Sequence, residues 1–137
     1  SSDTTTENEE KRIAQAAALA DTLRSTYAER VSSGYVIIAG DMNTWKPLDR
    51  NPAASCTLGR LCLLDDASPS NDFTAVNEQY LPATSTHQLG SVLDHIILSP
   101  ALFAHYRPDS VQVKTADSSV TMSALSDHYP VLLELDL

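Results

Sequence analysis

Cysteine, basic residues and long apolar runs are all scarce in this chain, and each scarcity excludes something. Only Cys56 and Cys62 carry thiols, and two thiols without a Cys-x-x-Cys spacing cannot build a four-ligand zinc site. Lysine occurs at three positions, and nine basic residues face eighteen acidic ones for a net charge of −9. That balance argues against sequence-independent gripping of nucleic acid by the whole surface, which depends on Lys and Arg neutralising phosphates. No apolar run approaches the roughly 20 residues of a membrane helix, so no transmembrane segment is read here. There is no internal repeat, no low-complexity tract and no recognisable secretory signal. The start, Ser1-Ser2-Asp3, has no initiator Met and reads as an internal cut or a processed end.

What is present suits one domain with a real core: 137 residues, 42% hydrophobic and 20% charged. Cys56 and Cys62 bracket a short loop containing Gly59, a spacing that suits a disulfide in an oxidising compartment. The scarcity of lysine leans the same way, so an extracellular or periplasmic location is the expectation. Buried free thiols are the alternative. A local basic site remains open in the segment after Asn43: Lys46, Arg50 and Arg60 follow it, with Asp49 the only acid before Asp65.

Thr6-Glu7-Asn8-Glu9 matches a capping box, and Ile13, Ala17, Ala20, Leu23 and Tyr27 follow at helical spacing. A helix is expected over about 7–31, stopped by Ser32-Ser33 with Gly34 as its C-cap residue. Residues 35–40 form an apolar run ending in Gly40, which reads as a strand buried on both faces. Helix, short turn and buried strand together indicate an α/β layered arrangement. From Thr44 to Gly90 four prolines interrupt the pattern, and a piece such as Leu61–Leu64 fits a strand or half a helical turn equally. Strands are expected again at 92–98, near 110–115 and over 130–136. Ser99-Pro100 opens a short helix between the first two.

Three polar strings meet these strands. Gly40-Asp41-Met42-Asn43 follows the first, Asp94 lies inside the apolar run 92–98, and Ser126-Asp127-His128 precedes the last. In layered α/β proteins, strand ends open into ligand-binding crevices. Asp41 is expected to project there, with Asn43 pointing the same way if the chain stays extended. A carboxylate in such a crevice can ligate a hard cation or take a proton from water. Gly-Asp-x-Asn is also an ordinary turn, and a His before a strand often only closes a loop. Asp94 shifts the balance, because a carboxylate inside an apolar strand is costly unless paired. His128 is the natural partner, since an Asp on one ring nitrogen fixes the tautomer and stabilises imidazolium. A backbone group or neighbouring His95 is the other possible partner. His87 and His105 read as solvated loop residues. Trp45 could stack on a nucleobase or belong to the core.

Taken in order, the strand ending Gly40-Asp41-Met42-Asn43, the strand with Leu93-Asp94-His95-Ile96 and the string Ser126-Asp127-His128-Tyr129-Pro130-Val131 resemble the endonuclease/exonuclease/phosphatase superfamily, the DNase I-like fold. Lys11-Arg12-Ile13-Ala14-Gln15-Ala16 is similar to the helix that leads into its Gly-Asp-x-Asn strand. The resemblance implies that residues 1–137 are the C-terminal half of such a domain, half of a four-layered α/β sandwich with a mixed β-sheet packed by helices. It implies a phosphoesterase, first of all a phosphodiesterase or nuclease. Lipid or sugar phosphatases, sphingomyelinase-like enzymes and a non-catalytic binding module on the same fold are the alternatives. Asp41 would orient or deprotonate the attacking water, and Asn43 would bind the transition-state phosphate. Asp127 would be a metal ligand or a supporting carboxylate, and His128, oriented by Asp94, would bind or protonate phosphoryl oxygens. Trp45 and Lys46 would contact a phosphate-ester substrate, possibly a nucleic acid. Mg²⁺, or Mn²⁺ or Ca²⁺, would stabilise the developing charge. The family's first half supplies a metal-binding Glu, an Asn and another His that have no match here, which implies an N-terminal half as partner.

Overall fold

The computed structural model describes residues 6–115 and 125–137. Its elements are α1 (Thr6–Thr26), α2 (Ala28–Ser33), β1 (Ile37–Asp41), α3 (Thr57–Leu63), β2 (Thr74–Ala75), α4 (Val76–Tyr80), β3 (Asp94–Leu98), α5 (Pro100–Phe103), β4 (Gln112–Val113) and β5 (Val131–Leu132). Two 3₁₀ turns, Pro47–Arg50 and Pro69–Asn71, complete them. The composition is mixed α/β, but every strand pairing among the described residues is antiparallel, where a mixed sheet was expected.

The helix expected over 7–31 is two helices. Thr6 is the first helical residue rather than the cap, and Tyr27 separates α1 from α2 at φ −119°, ψ 30°. Just before the break, the Ser25 hydroxyl donates to the Asp21 carbonyl at 2.8 Å. Such back-bonding competes with the helical ladder and bends it. The buried stripe is Ala16, Ala20 and Leu23, so Ala16 takes the inner position given to Ala17, and Tyr27 lies exposed. Small residues on that stripe let α1 pack closely on α3.

β3 is the central strand of a three-stranded sheet in the order β1-β3-β2. Side chains alternate across it. Ile97 enters a core cluster with α1, α3, Val31 and Phe73. Ile96 and Leu98 turn to a second cluster with Val76, Leu102, Tyr106, Val111, Leu133 and Leu135. The β4–β5 pair borders that second cluster, so it packs against the face of β3 opposite α1.

β1 was expected to be buried on both faces, and it is not. Ile38 is half-buried, Ala39, Gly40 and Asp41 are exposed, and Ile37 keeps 53% of its surface exposed. The reason is position: β1 is an edge strand, and nothing among the described residues covers its face beside Ile96 and Leu98. Ser99 stands at the N-cap of α5 with Pro100 after it, and its hydroxyl donates to the Gly34 carbonyl and accepts from the Val36 amide, tying the start of β1 to the end of β3.

The irregular middle segment contains α3, which its sequence conceals behind Gly59. That glycine is there for space: a Cβ on it would lie 1.7 Å from the Ala54 carbonyl oxygen. Cys56 caps α3, its Sγ accepting from the Gly59 amide at 3.4 Å and donating to the Asn51 carbonyl at 3.1 Å. Cys62 sits six residues on, about one and two-thirds turns away, in the core. Both thiols are free and buried, so the expected disulfide gives way to a cap and a core residue. Burial pushes the Cys62 thiol up to about 12, which leaves it unreactive.

Candidate active site

The register of β1 on β3 places Asp41 directly opposite Asp94. Cross-strand partners share a face, and like charges there repel. His128 answers both carboxylates. Its Nδ1 lies 2.8 Å from Asp94 Oδ2, and its Nε2 faces Asp41 Oδ2 at 3.8 Å and Asp127 Oδ1 at 3.9 Å. The hydrogen bond that His128 donates to Asp94, helped by the charges of Asp94, Asp41 and Asp127, raises the His128 pKa above the ordinary histidine value, against a smaller opposing effect of desolvation. The ring keeps about a third of its surface exposed, so it remains open to a ligand.

The backbone of Asp94 is held from two sides. Its amide donates to Thr86 Oγ1 at 3.0 Å, and its carbonyl accepts from Asn77 Nδ2 at 2.9 Å. Asn77 also accepts from the Ile96 amide, so one buried side chain continues the ladder of β3 where β2 has ended. Thr86 reaches the imidazole's segment too, its carbonyl accepting from the Tyr129 amide. Neither Asn77 nor Thr86 stood out in the sequence, because each serves a partner distant along the chain.

Gly40 adopts φ +148°, a conformation glycine alone takes readily, and Asn43 stands at φ +50°. The chain therefore leaves the extended state, contrary to the expectation that Asn43 would continue in line with Asp41. Asp41 Oδ1 accepts the Asn43 amide at 2.8 Å, an Asx turn. Asn43 borders a cavity of about 170 Å³ between α1, α3 and the end of β1, with Asp41, Arg12 and Gln15 in the same wall. Its amide oxygen lies 3.3 Å from Trp45 Nε1.

Trp45, read as a stacking residue or a core residue, is half-buried, with its ring edge-on to His87 at 5.3 Å. Lys46, the expected substrate cation, pairs with Glu9 of α1 while keeping half of its side chain exposed. Arg50 makes a two-pronged pair with Glu78 at 2.9 and 3.0 Å, and Arg60 pairs with Asp65. The local basic site read after Asn43 is thus spent on internal ion pairs. His87, expected to be solvated, is 5% exposed and touches Asp127 and the His128 ring. His105 accepts from the Tyr35 hydroxyl at 2.7 Å and bonds the Asp136 carbonyl, remote from the cluster.

Among the described residues, two three-residue groups, Asp41/Asp94/His128 and His87/Asp127/His128, bring their ligand atoms within 4.8 Å of one another. The donor chemistry separates them. Asp94 is committed to His128, whereas Asp127 Oδ1 is a hard oxygen beside an open imidazole edge. A carboxylate oxygen beside an imidazole suits a hard divalent cation.

A carboxylate-flanked imidazole at the edge of an antiparallel sheet, with an Asx turn beside it, is a grouping chemically able to hold a hard cation or pass a proton. The model of the Endonuclease/Exonuclease/phosphatase family matches residues 6–128, and the chain belongs to that family, a superfamily of phosphoesterase and nuclease-type hydrolases. Comparison with curated proteins and with solved structures finds no match.

Proposed function

We propose that the chain is the C-terminal half of a divalent-metal-dependent phosphodiesterase domain that cleaves phosphate esters by in-line attack of water, with nucleic acid as its substrate class. The observation that carries this reading is the single imidazole bonded to Asp94 and facing both Asp41 and Asp127. His128, with its pKa raised, donates a hydrogen bond or a proton to a phosphoryl oxygen. Asp94 holds the ring so that Nε2 is the free end. Asp41 orients the attacking water and accepts its proton. Asn43 contributes amide hydrogen bonds to the phosphoryl group without adding negative charge. Asp127 Oδ1 is the donor for Mg²⁺, Mn²⁺ or Ca²⁺, which would supply charge neutralisation at the phosphate.

The exposed inner face and open edge of β1 support a partner that completes the sandwich. An edge strand presenting Ile37 and unpaired backbone is an aggregation hazard unless something covers it. An N-terminal half adding strands there would give the four-layered architecture and further metal ligands.

The test uses the full-length protein that carries this chain, with bis(p-nitrophenyl) phosphate and duplex DNA as probes. Hydrolysis should require a divalent ion, stop with a chelator and return when Mg²⁺ is restored. Turnover that persists without metal, or no turnover on any phosphate ester with metal present, overturns the reading.

A further inference from the structure

His87 has no role in the scheme above, yet it is one of the most enclosed polar groups near the site. Its side chain is 6% exposed, wedged edge-on between Trp45 at 5.3 Å and the His128 ring at 4.9 Å. Both ring nitrogens are engaged. The Leu89 amide lies 3.1 Å from Nδ1, and Asp127 Oδ2 lies 3.3 Å from Nε2. A backbone N–H can only donate, so Nδ1 must offer a lone pair, and the neutral ring then carries its proton on Nε2. That proton points at Asp127.

We propose that His87 is a positioning residue for Asp127: locked as the Nε2–H tautomer by the Leu89 amide, it donates to Asp127 Oδ2 and leaves Oδ1 turned toward His128. The backbone reinforces the arrangement, since the Gln88 amide donates to the Asp127 carbonyl at 2.9 Å and His87 bridges to His128 as an isolated antiparallel pair. Two short loops from distant parts of the chain are thereby fastened at the carboxylate. The same geometry argues against His87 as a metal ligand. Ligation through Nε2 would move the ring proton to Nδ1, head-on to the Leu89 N–H. The three-residue group His87/Asp127/His128 is therefore a held carboxylate beside an imidazole, and a metal at Asp127 would be met by Oδ1. Outer partners that orient a ligating group typically change affinity or activity about 10–100-fold.

The kinetic consequence of this assignment rests on the phosphodiesterase reading; the tautomer does not. Long-range ¹H–¹⁵N spectra of the full-length protein with labelled histidines should show the neutral His87 ring protonated at Nε2 and bare at Nδ1. Protonation at Nδ1 overturns the proposal. With bis(p-nitrophenyl) phosphate, H87F should lower turnover roughly 10–100-fold and raise the Mg²⁺ needed for half-maximal rate. H87Q, whose amide can still donate to Asp127, should stay within a few-fold of the parent. Equal losses in both variants, or none in H87F, refute the positioning role. If the parent protein hydrolyses nothing, the phosphodiesterase reading falls while the spectrum still decides the tautomer.

Discussion

Asp94 and His128 lie 34 positions apart along the chain and 2.8 Å apart in space. That bond answers two problems at once. It pairs a carboxylate set in an apolar strand, and it gives the imidazole one defined free nitrogen. Because Asp41 faces Asp94 across the β1–β3 ladder, the free nitrogen is delivered to a second carboxylate by strand register alone.

If Asp94 acts through His128, then D94N and H128A in the full-length protein should each lower kcat/KM on bis(p-nitrophenyl) phosphate by on the order of 10³-fold. The double variant should be little worse than H128A, since groups acting as a unit are non-additive. Multiplying losses would show that Asp94 contributes independently. Far-ultraviolet circular dichroism should match the parent in all three.

His95 gives the fold a pH dependence of its own. It is 1% exposed; its Nε2 bonds Thr44 Oγ1 at 2.9 Å, and its Nδ1 has no partner among the described residues. Burial, assisted by the positive charge of Arg50 and opposed by Asp94, pushes its pKa down from 6.5 to about 4. The ring stays neutral in the fold but takes a proton in the unfolded chain as pH falls below 6.5. Unfolded molecules then bind more protons, so stability should drop between about pH 6.5 and pH 4 and level off below that. The fall attributable to this ring is roughly 3 kcal/mol. Urea midpoints measured across that window should show it, and H95Q should flatten the slope. A parent slope that survives the substitution would assign the effect elsewhere.

G59A should destabilise the protein by roughly 3 kcal/mol through overpacking. The added methyl meets backbone, the Ala54 carbonyl at 1.7 Å and the Asn51 carbonyl at 2.9 Å, which cannot rotate away as a side chain would. G40A tests the opposite cause. Nothing lies within 4 Å of a Cβ there, so its cost comes from the backbone angle alone, of order 1 kcal/mol. Thermal melts of the two variants should separate clashing contact from backbone strain, and equal shifts would contradict the assignment.

Thiol titration checks the state of the cysteines. Without reductant, native protein should react slowly with a thiol reagent, and two thiols should appear on unfolding. None appearing would restore the disulfide.

The strands were legible where local pattern carries the information. Residues 35–40 and 92–98 are runs rich in β-branched and apolar residues; β3 lies within the second, and β1 overlaps the first from Ile37 to Gly40. Asp94 was legible as a group in need of a partner because burying a bare carboxylate is costly wherever it happens. α3 was not, since Gly59 and the flanking prolines spoil its propensity and only the close approach of the 51–54 backbone explains the glycine. His87 was not, since its partner Asp127 is 40 residues away and its flanking Thr, Gln and Gly residues signal an ordinary loop.

Sequence by itself determined the chemical inventory: which carboxylates must be paired, where apolar strands run, and the order of strings that marks the family. Register, enclosure and hydrogen-bond direction were decided only by tertiary structure. They set Asp41 against Asp94, exposed the face of β1, kept the two thiols apart and turned a loop histidine into the holder of Asp127. The physical reason is range. Propensity and periodicity act over a few residues, whereas a pairing across a sheet is paid for by loop closure and settled by the whole packed core.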